Sequence, residues 1–252
     1  MLFRSLGFLV SSRVIEANPT KIRAIENMRL PRCLRDVQKF TGCLASLSRF
    51  VCRLGEKALP LYQLMKKSDR FSWTPQADAA FHELKKTLGT APILASPLPR
   101  EPMLLYIAAT NRVVSVVVVV AERKEEETIV QRPVYYLSEV ISASKQNYPH
   151  YQKMTYGVYM VAKKLKHYFQ EHPITVVCAA PISEIIGNKD ASGRVAKWAI
   201  ELAAYAPQYV RRDAIKSQVL ADFFVDWAEM QYEPPLPDSN YWKMHFDGSK
   251  VK

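Results

Sequence analysis

The 252-residue sequence has only four cysteines, and none of them forms a C-x-x-C pair. Cys33, Cys43, Cys52 and Cys178 also lack metal-ligand spacing with the scattered histidines, which argues against a zinc site. Reduced, half-buried thiols of this kind are expected in an intracellular protein of the cytoplasm or nucleus, not a secreted one. Long apolar runs are missing too. The longest, Val113 to Ala121, is interrupted by Ser115 and falls far short of the ~20 residues a membrane span needs. The N-terminal "MLFRSLGFLVSS" has too short an apolar run after Arg4, and no small-residue cleavage pattern, to be a signal peptide. It reads as a strand.

What is present is ordinary globular material, 48% hydrophobic and 23% charged, enough to build a core. The net charge of +11 is unevenly placed. Residues 1–90 carry 16 Lys and Arg against 7 Asp and Glu, a net of +9, whereas residues 91–252 carry a net of +2. A basic front half suits contact with a polyanion, where each neutralised phosphate releases counterions. It also suits a plain solvated surface.

Periodicity changes twice along the chain. Ile22, Ile25 and Met28 recur at helical steps after Pro19, and Pro31 is expected to stop that helix. A second helix is predicted from Leu34 to Phe50 on the stripe Val37, Phe40, Leu44, Leu47 and Val51, and a third from Glu56 to Lys67. In "SWTPQADAAFHELKKTL", Thr74 as N-cap and Pro75 at the first helical position predict a fourth. Four prolines then crowd "TAPILASPLPREP", which reads as a linker at residues 91–102.

Beyond it the period becomes that of strands, predicted at 103–109, 113–121 and 129–138. The first two form a hairpin, "LYIAATNRVVSVVVVV", around a small polar kink at residues 108–111. A long helix follows from Asn147 to Phe169, then a strand at "ITVVCA", a helix through "GRVAKWAIELAAY", a strand at "PQYVRR" and a final helix from Lys216 to Glu229. This order predicts an α/β fold, a mixed sheet with helices packed against it. "EPPLPDSN" reads as a second linker, and "YWKMHFDGSK" as the start of another strand.

Several long stretches together carry a resemblance. "LGFLVSSRVIEANPTKIRAIENM" resembles the end of the reverse transcriptase region in gypsy-type LTR retrotransposon Pol polyproteins, plant ones especially. "DVQKFTGCLASLSRFVCRLGEKALPLYQLMKK" with "FSWTPQADAAFHELKKTL" looks like the segment that follows it. "RPVYYLSEVISASKQNYPHYQKMTYGVYMVAKKLKHYF" and "IKSQVLADFFVDW" look like an RNase H-like domain. The resemblance implies a reverse transcriptase remnant at 1–18, a helical connection at 19–90, and an RNase H-like five-stranded mixed sheet flanked by helices at 103–229. A linker at 230–240 and the first strand of a second RNase H domain at 241–252 would follow.

The resemblance also implies chemistry, which has to be checked residue by residue. The Y-x-D-D-type turn that polymerase chemistry needs to hold two Mg²⁺ ions does not occur. Active RNase H relatives supply three Asp and one Glu to a magnesium pair. Here Ala108 stands at the first Asp, Met154 at the Glu and Ala179 at the second Asp, while Asp222 is retained at the last. Methyl and thioether groups offer no hard oxygen to Mg²⁺, so an RNase H fold without RNase H catalysis is expected, with no bound cofactor. By the same resemblance Asp247, in "MHFDGSK", would be the first ligand of the following domain.

Arg32, Arg35, Lys39, Arg49 and Arg53 lie where the family lays its connecting segment beside nucleic acid. They are the candidate phosphate contacts. His167 reads as a packing residue, and Lys163, Lys164 and Lys166 as a wet helix face. The implied role is a non-catalytic tether that contacts an RNA–DNA hybrid and other Pol domains, with no membrane partner. Two other readings stay open. One is a residual Mg-dependent nuclease built on Asp222 and Asp226 with Glu184 or Glu139; the other is an inert decayed open reading frame.

Overall fold

The computed structural model describes residues 3–4, 7–11, 14–66, 71–120, 123–125, 128–178, 180–187 and 193–211. The chain opens with three short antiparallel strands, β1 (Phe3–Arg4), β2 (Phe8–Val10) and β3 (Val14–Ala17). Asn18 then caps α1 (Pro19–Glu26) by accepting from the Thr20 N–H, and the proline in the first turn loses no hydrogen bond there. This helix ends at Glu26, well before Pro31.

α2 (Leu34–Ser46) buries Val37, Phe40, Thr41 and Leu44. The helix predicted to continue to Phe50 breaks into a 3₁₀ turn, Ser48–Phe50, which lets Leu47 and Phe50 both reach the core. The third predicted helix is two short ones, α3 (Leu54–Lys57) and α4 (Leu59–Leu64). Pro60 explains the division, since it cannot donate within a helix but fits the first turn of a new one. α5 (Pro75–Gly89) begins as predicted, with Thr74 Oγ1 accepting from the Ala77 N–H.

The proline-rich segment contains a strand, β4 (Leu94–Ala95), hydrogen-bonded to β3. Its prolines did not prevent this, because only two residues pair and both are buried. Next come β5 (Met103–Ala109), β6 (Val113–Val120), β7 (Arg123–Glu125), β8 (Thr128–Val130) and β9 (Pro133–Val140). β7 and β8 pair with each other as a two-stranded antiparallel ribbon. The strand predicted at 129–138 is displaced to 133–140, where it pairs with β6 through an irregularity at Val118 and Val119.

After α6 (Ala143–Gln146), the long predicted helix is α7 (His150–Lys164) and α8 (Lys166–Glu171), divided at Leu165. That break turns Leu165 and Phe169 into the same core. β10 (Ile174–Cys178), α9 (Ile182–Gly187), α10 (Arg194–Ala203) and β11 (Gln208–Arg211) complete the described chain; α9 was not foreseen. The helix predicted at Lys216–Glu229 and the strand predicted in 241–252 lie outside the described residues. Among the described residues no helix is long and apolar enough to cross a membrane.

The main sheet has the order β11-β10-β5-β6-β9. β5, β6 and β9 form an antiparallel meander, while β10 runs parallel to both β5 and β11. The expected five-stranded mixed sheet flanked by helices is therefore present. Side chains alternate across it with period two. Leu105, Ile107 and Ala109 join Val114, Val116 and Val118 on the face that packs against Met154, Val158 and Trp198 of α7 and α10. Tyr106, Ala108, Val117 and Val119 point to the other face, into a core with Phe40, Leu44, Phe50 and Leu84 from the front helices. Both faces of β5 and β6 are covered, which is why the valine run shows no polar alternation.

Two glycines mark where helices press on this sheet. A Cβ on Gly157 of α7 would lie 2.3 Å from Ile107 Cδ1 and 2.6 Å from Val114 Cγ1. One on Gly55 of α3 would meet Ser138 Oγ at 2.6 Å and Val113 Cγ1 at 2.9 Å. Gly157→Ala is expected to cost about 1–3 kcal/mol through overpacking, even though alanine is the better helix former. A lowered urea midpoint with an unchanged slope is the expected reading; an unchanged or raised midpoint would show that the contact relaxes freely.

Candidate functional site

The five basic side chains proposed for phosphate contact do not share one surface. Arg32, Arg35 and Lys39 are exposed, on the loop before α2 and on α2 itself. Arg32 and Lys39 border a groove of about 650 Å³ between α1 and α2, floored by Met28 and Phe40. Asp36 sits among them and accepts from the Arg32 N–H at 3.0 Å. That backbone donor, with the neighbouring Cys33 and Lys39, holds the Asp36 carboxyl below its ordinary value.

The other two are committed inside the protein. The Arg49 guanidinium lies 4.9 Å from the Phe8 ring centre and 4.7 Å from that of Tyr135. It donates to the Val134 carbonyl and the Tyr168 hydroxyl, both at 3.4 Å. Arg53 is 7% exposed, takes a left-handed φ of 55°, and donates through Nε to Glu56 Oε2 at 2.8 Å and through its Nη2 to the same oxygen. The break after Ser46 is the physical reason. It ends the α2 register, so residues that would have continued its outer face are turned toward the sheet.

Around Arg53 a polar clasp joins the front helices to the sheet. Ser115 Oγ donates to Glu56 Oε1 at 3.1 Å and lies 2.9 Å from Ser138 Oγ. Ser138 Oγ in turn accepts from the Gly55 N–H at 2.9 Å. Ser115 is fully buried, so these partners replace the water it lacks. Ser115 was visible in the sequence only as an interruption of a valine run, and nothing local indicated its partner 59 residues earlier.

Ala108, the position matched to the first RNase H aspartate, is the cross-strand partner of Ser115. It is 2% exposed and lies in the core under the front helices. Met154, matched to the glutamate, is 3% exposed and belongs to the core on the opposite face. Neither side chain supplies an oxygen, so the described positions do not fit a magnesium pair. Ala179, Asp222, Asp226 and Asp247 lie outside the described residues.

Glu139 and Glu184, the described carboxylates of the residual-nuclease reading, are not brought together. Glu139 is on edge strand β9, and Glu184 is in α9 just beyond β10. Three strand spacings of about 4.8 Å separate β9 from β10 in the sheet order. Among the described residues no group of three or more His, Cys, Asp or Glu side chains could hold a metal ion.

Glu139 has other partners. It accepts from Tyr156 Oη and from Lys164 Nζ, both at 2.6 Å, while Lys145 Nζ donates to Tyr156 Oη at 2.7 Å. Burial alone would raise the Glu139 carboxyl; the Lys164 ammonium and the Tyr156 hydroxyl outweigh it and hold the group below its ordinary value. The same burial and the facing carboxylate raise the Tyr156 hydroxyl strongly. Lys164 is thus an ion-pair partner as well as part of a wet face, and His167 is exposed, not packed as predicted. Lys153, which sequence reading passed over, is 5% exposed and donates to Asn111 Oδ1 at 3.3 Å. Its burial lowers the ammonium from the usual lysine value.

Two predictions rest on this geometry. Ala108→Asp would bury a carboxylate across from Ser115 and near the charge of Glu56. A destabilisation of about 3 kcal/mol or more at pH 7 is expected, as for an unpaired buried charge. Burial raises the new group's folded pKa, so the loss relative to wild type shrinks as pH falls through it; denaturant titrations at several pH values check this. For Glu139 the folded pKa is depressed, so its contribution is present above about pH 4.5 and lost as pH falls through the folded value. Wild type and Glu139→Gln should therefore converge in stability on acidification, and parallel titration curves would contradict the pairing.

Comparison with known proteins agrees with this architecture. Residues 73–176 match the family described as the RNase H-like domain found in reverse transcriptase. The retrovirus-related Pol polyprotein from transposon opus of Drosophila melanogaster is 25% identical over 230 residues, covering 86% of this chain and 22% of that protein. The Gag-Pol polyprotein of baboon endogenous virus is 26% identical over 181 residues, covering 72% of the chain and 10% of the relative. The chain thus spans less than a quarter of either. A foamy viral protease–reverse transcriptase solved with an RNA/DNA hybrid superimposes with a TM-score of 0.69 at 16% identity, over 98% of this chain and 32% of that one. Another, solved with double-stranded DNA, gives 0.68 at 16% identity, over 86% and 38%. The fold is RNase H-like, and the sequence is similar to the Pol polyproteins of retrotransposons and retroviruses.

Proposed function

We propose that this chain is a non-catalytic structural tether from a Pol polyprotein, of the gypsy type and plant-like. In this reading residues 19–90 are the helical connection and 103–229 a degenerate RNase H-like domain. The tether holds polymerase and RNase H along an RNA–DNA hybrid, which the exposed Arg32, Arg35 and Lys39 contact through phosphates. The observation that carries the reading is the burial of Ala108: the sheet face of the first ligand position is closed under the front helices and joined to them by the Glu56–Ser115–Ser138 clasp. Such a face favours rigid connection over catalysis. Similar proteins solved with double-stranded DNA and with an RNA/DNA hybrid support the choice of partner.

Binding to an RNA–DNA hybrid over a series of salt concentrations tests it. Each phosphate contact contributes about 0.9 to the slope of log K against log salt, so Arg32→Ala/Arg35→Ala/Lys39→Ala is expected to lower the slope by roughly 2–3. Wild-type binding without a salt slope would overturn the hybrid contact. Incubating the hybrid with Mg²⁺ should leave it intact. Cleavage that Asp222→Asn abolishes would overturn the non-catalytic reading.

A further inference from the structure

A second groove, of about 720 Å³, lies where the front helices meet the sheet. One wall is α4 with Tyr62 and Gln63, continued by Lys66 just after it. The other is the β5–β6 turn with Arg112, and α6 with its N-cap Ser142 and its last residue Gln146. Lys66 and Arg112 are exposed on opposite walls, and among the described residues no carboxylate lines the groove. This contrasts with the α1–α2 groove, where Asp36 lies among the cations.

The Arg112 wall is held in place by backbone bonds. The Arg112 N–H donates to Thr110 Oγ1 at 3.3 Å, and its carbonyl accepts from the Ile141 N–H at 2.8 Å. Gln146 Nε2 donates to the Ile141 carbonyl at 3.3 Å, tying α6 to the same point. Across the groove the Tyr62 ring is half-buried, and burial raises its hydroxyl above the ordinary tyrosine value, so it stays protonated and able to donate. Two cations facing each other across a slot of hydroxyl and amide donors, with no acid among the described lining residues, suit a chain of phosphodiesters passing between them.

We propose that this groove binds the sugar–phosphate backbone of one nucleic-acid strand, with Lys66 and Arg112 on successive or nearby phosphates and the Tyr62 and Ser142 hydroxyls beside them. The groove is distinct from the Arg32–Lys39 surface and rests on the reading that the chain contacts nucleic acid at all. It puts a contact at the junction of the two parts, formed only while they are docked.

The test is salt-dependent binding of the full 252-residue chain to an RNA–DNA hybrid. Lys66→Ala/Arg112→Ala is compared with Lys86→Ala/Lys197→Ala, which removes the same charge from exposed positions on α5 and α10. Loss of two phosphate contacts lowers the slope by about 1.8 for the groove variant, with affinity down tenfold or more near 0.1 M salt. The control variant keeps a slope close to wild type. Equal slopes in the two variants, or a groove variant that binds like wild type, overturn the groove. Wild type that fails to bind overturns the broader reading instead, so the two failures are separable. Thermal melts of both variants, expected within a few degrees of wild type, exclude unfolding as the cause. A second arm, Arg112→Lys, keeps the charge but not the fork and should retain the slope; its loss would assign Arg112 a structural part and overturn the proposal.

Discussion

Everything in this molecule leans on one wall, the β5–β6 pair, which is apolar on both faces. A sheet with one face in water alternates polar and apolar residues; this one cannot, because each face must fill a separate core. Ile107 and Val114 meet α7 at Gly157, where there is no room for even a methyl group. Tyr106 and Val117 meet the front helices. Burying one further leucine-sized side chain is worth about 1.5–3 kcal/mol. Losing either neighbour would expose a row of such side chains, so neither half has a low-cost way to leave the sheet.

A wall that is apolar on both sides still needs something to fix which helix sits where, since dispersion and burial are poorly directional. The Arg53–Glu56–Ser115–Ser138 group supplies that register. Its serines sit on adjacent strands, paired in register, and its charged members are Arg53, just before α3, and Glu56 on it. A carboxylate held away from water needs its partners in place, so a slip of α3 by one residue would strand charge and hydroxyls together. Arg49 does the same work farther along, wedged between rings from β2 and β9.

This division explains what could be read from the residues alone. β5 was legible to its last residue, because seven consecutive positions fit one period and a polar turn closes them. The α5 start was legible because Thr74 and Pro75 are local signals. The 3₁₀ break at Ser48–Phe50 and the pairing of Leu94 and Ala95 were not. Each is settled by contacts distant in the chain, which outvote local propensity. The candidate site follows the same rule. Exposed Arg32, Arg35 and Lys39 were found from charge and position, whereas Arg49 and Arg53 carry the same charge and turn inward after a break that periodicity did not show. Ser115 looked like a flaw in a strand and is the buried end of the clasp.

On the proposed reading, metal chemistry and this clasp compete for the same face of β5. Two magnesium ions require several converging carboxylates and keep part of their water, so the strand face bearing a ligand has to stay open and hydrated. At Ala108 the face is 2% exposed, and its cross-strand neighbour Ser115 is already spent on Glu56. A carboxylate at 108 would add a second negative charge beside the Glu56 carboxylate, which Arg53 already pairs, while an alanine methyl completes the core. Once the front helices are docked, alanine is the residue the site prefers, and a residue without oxygen leaves no reason for the face to reopen. On the tether reading proposed above, the missing carboxylate and the closed interface are two sides of one physical choice, in favour of rigidity between the two parts.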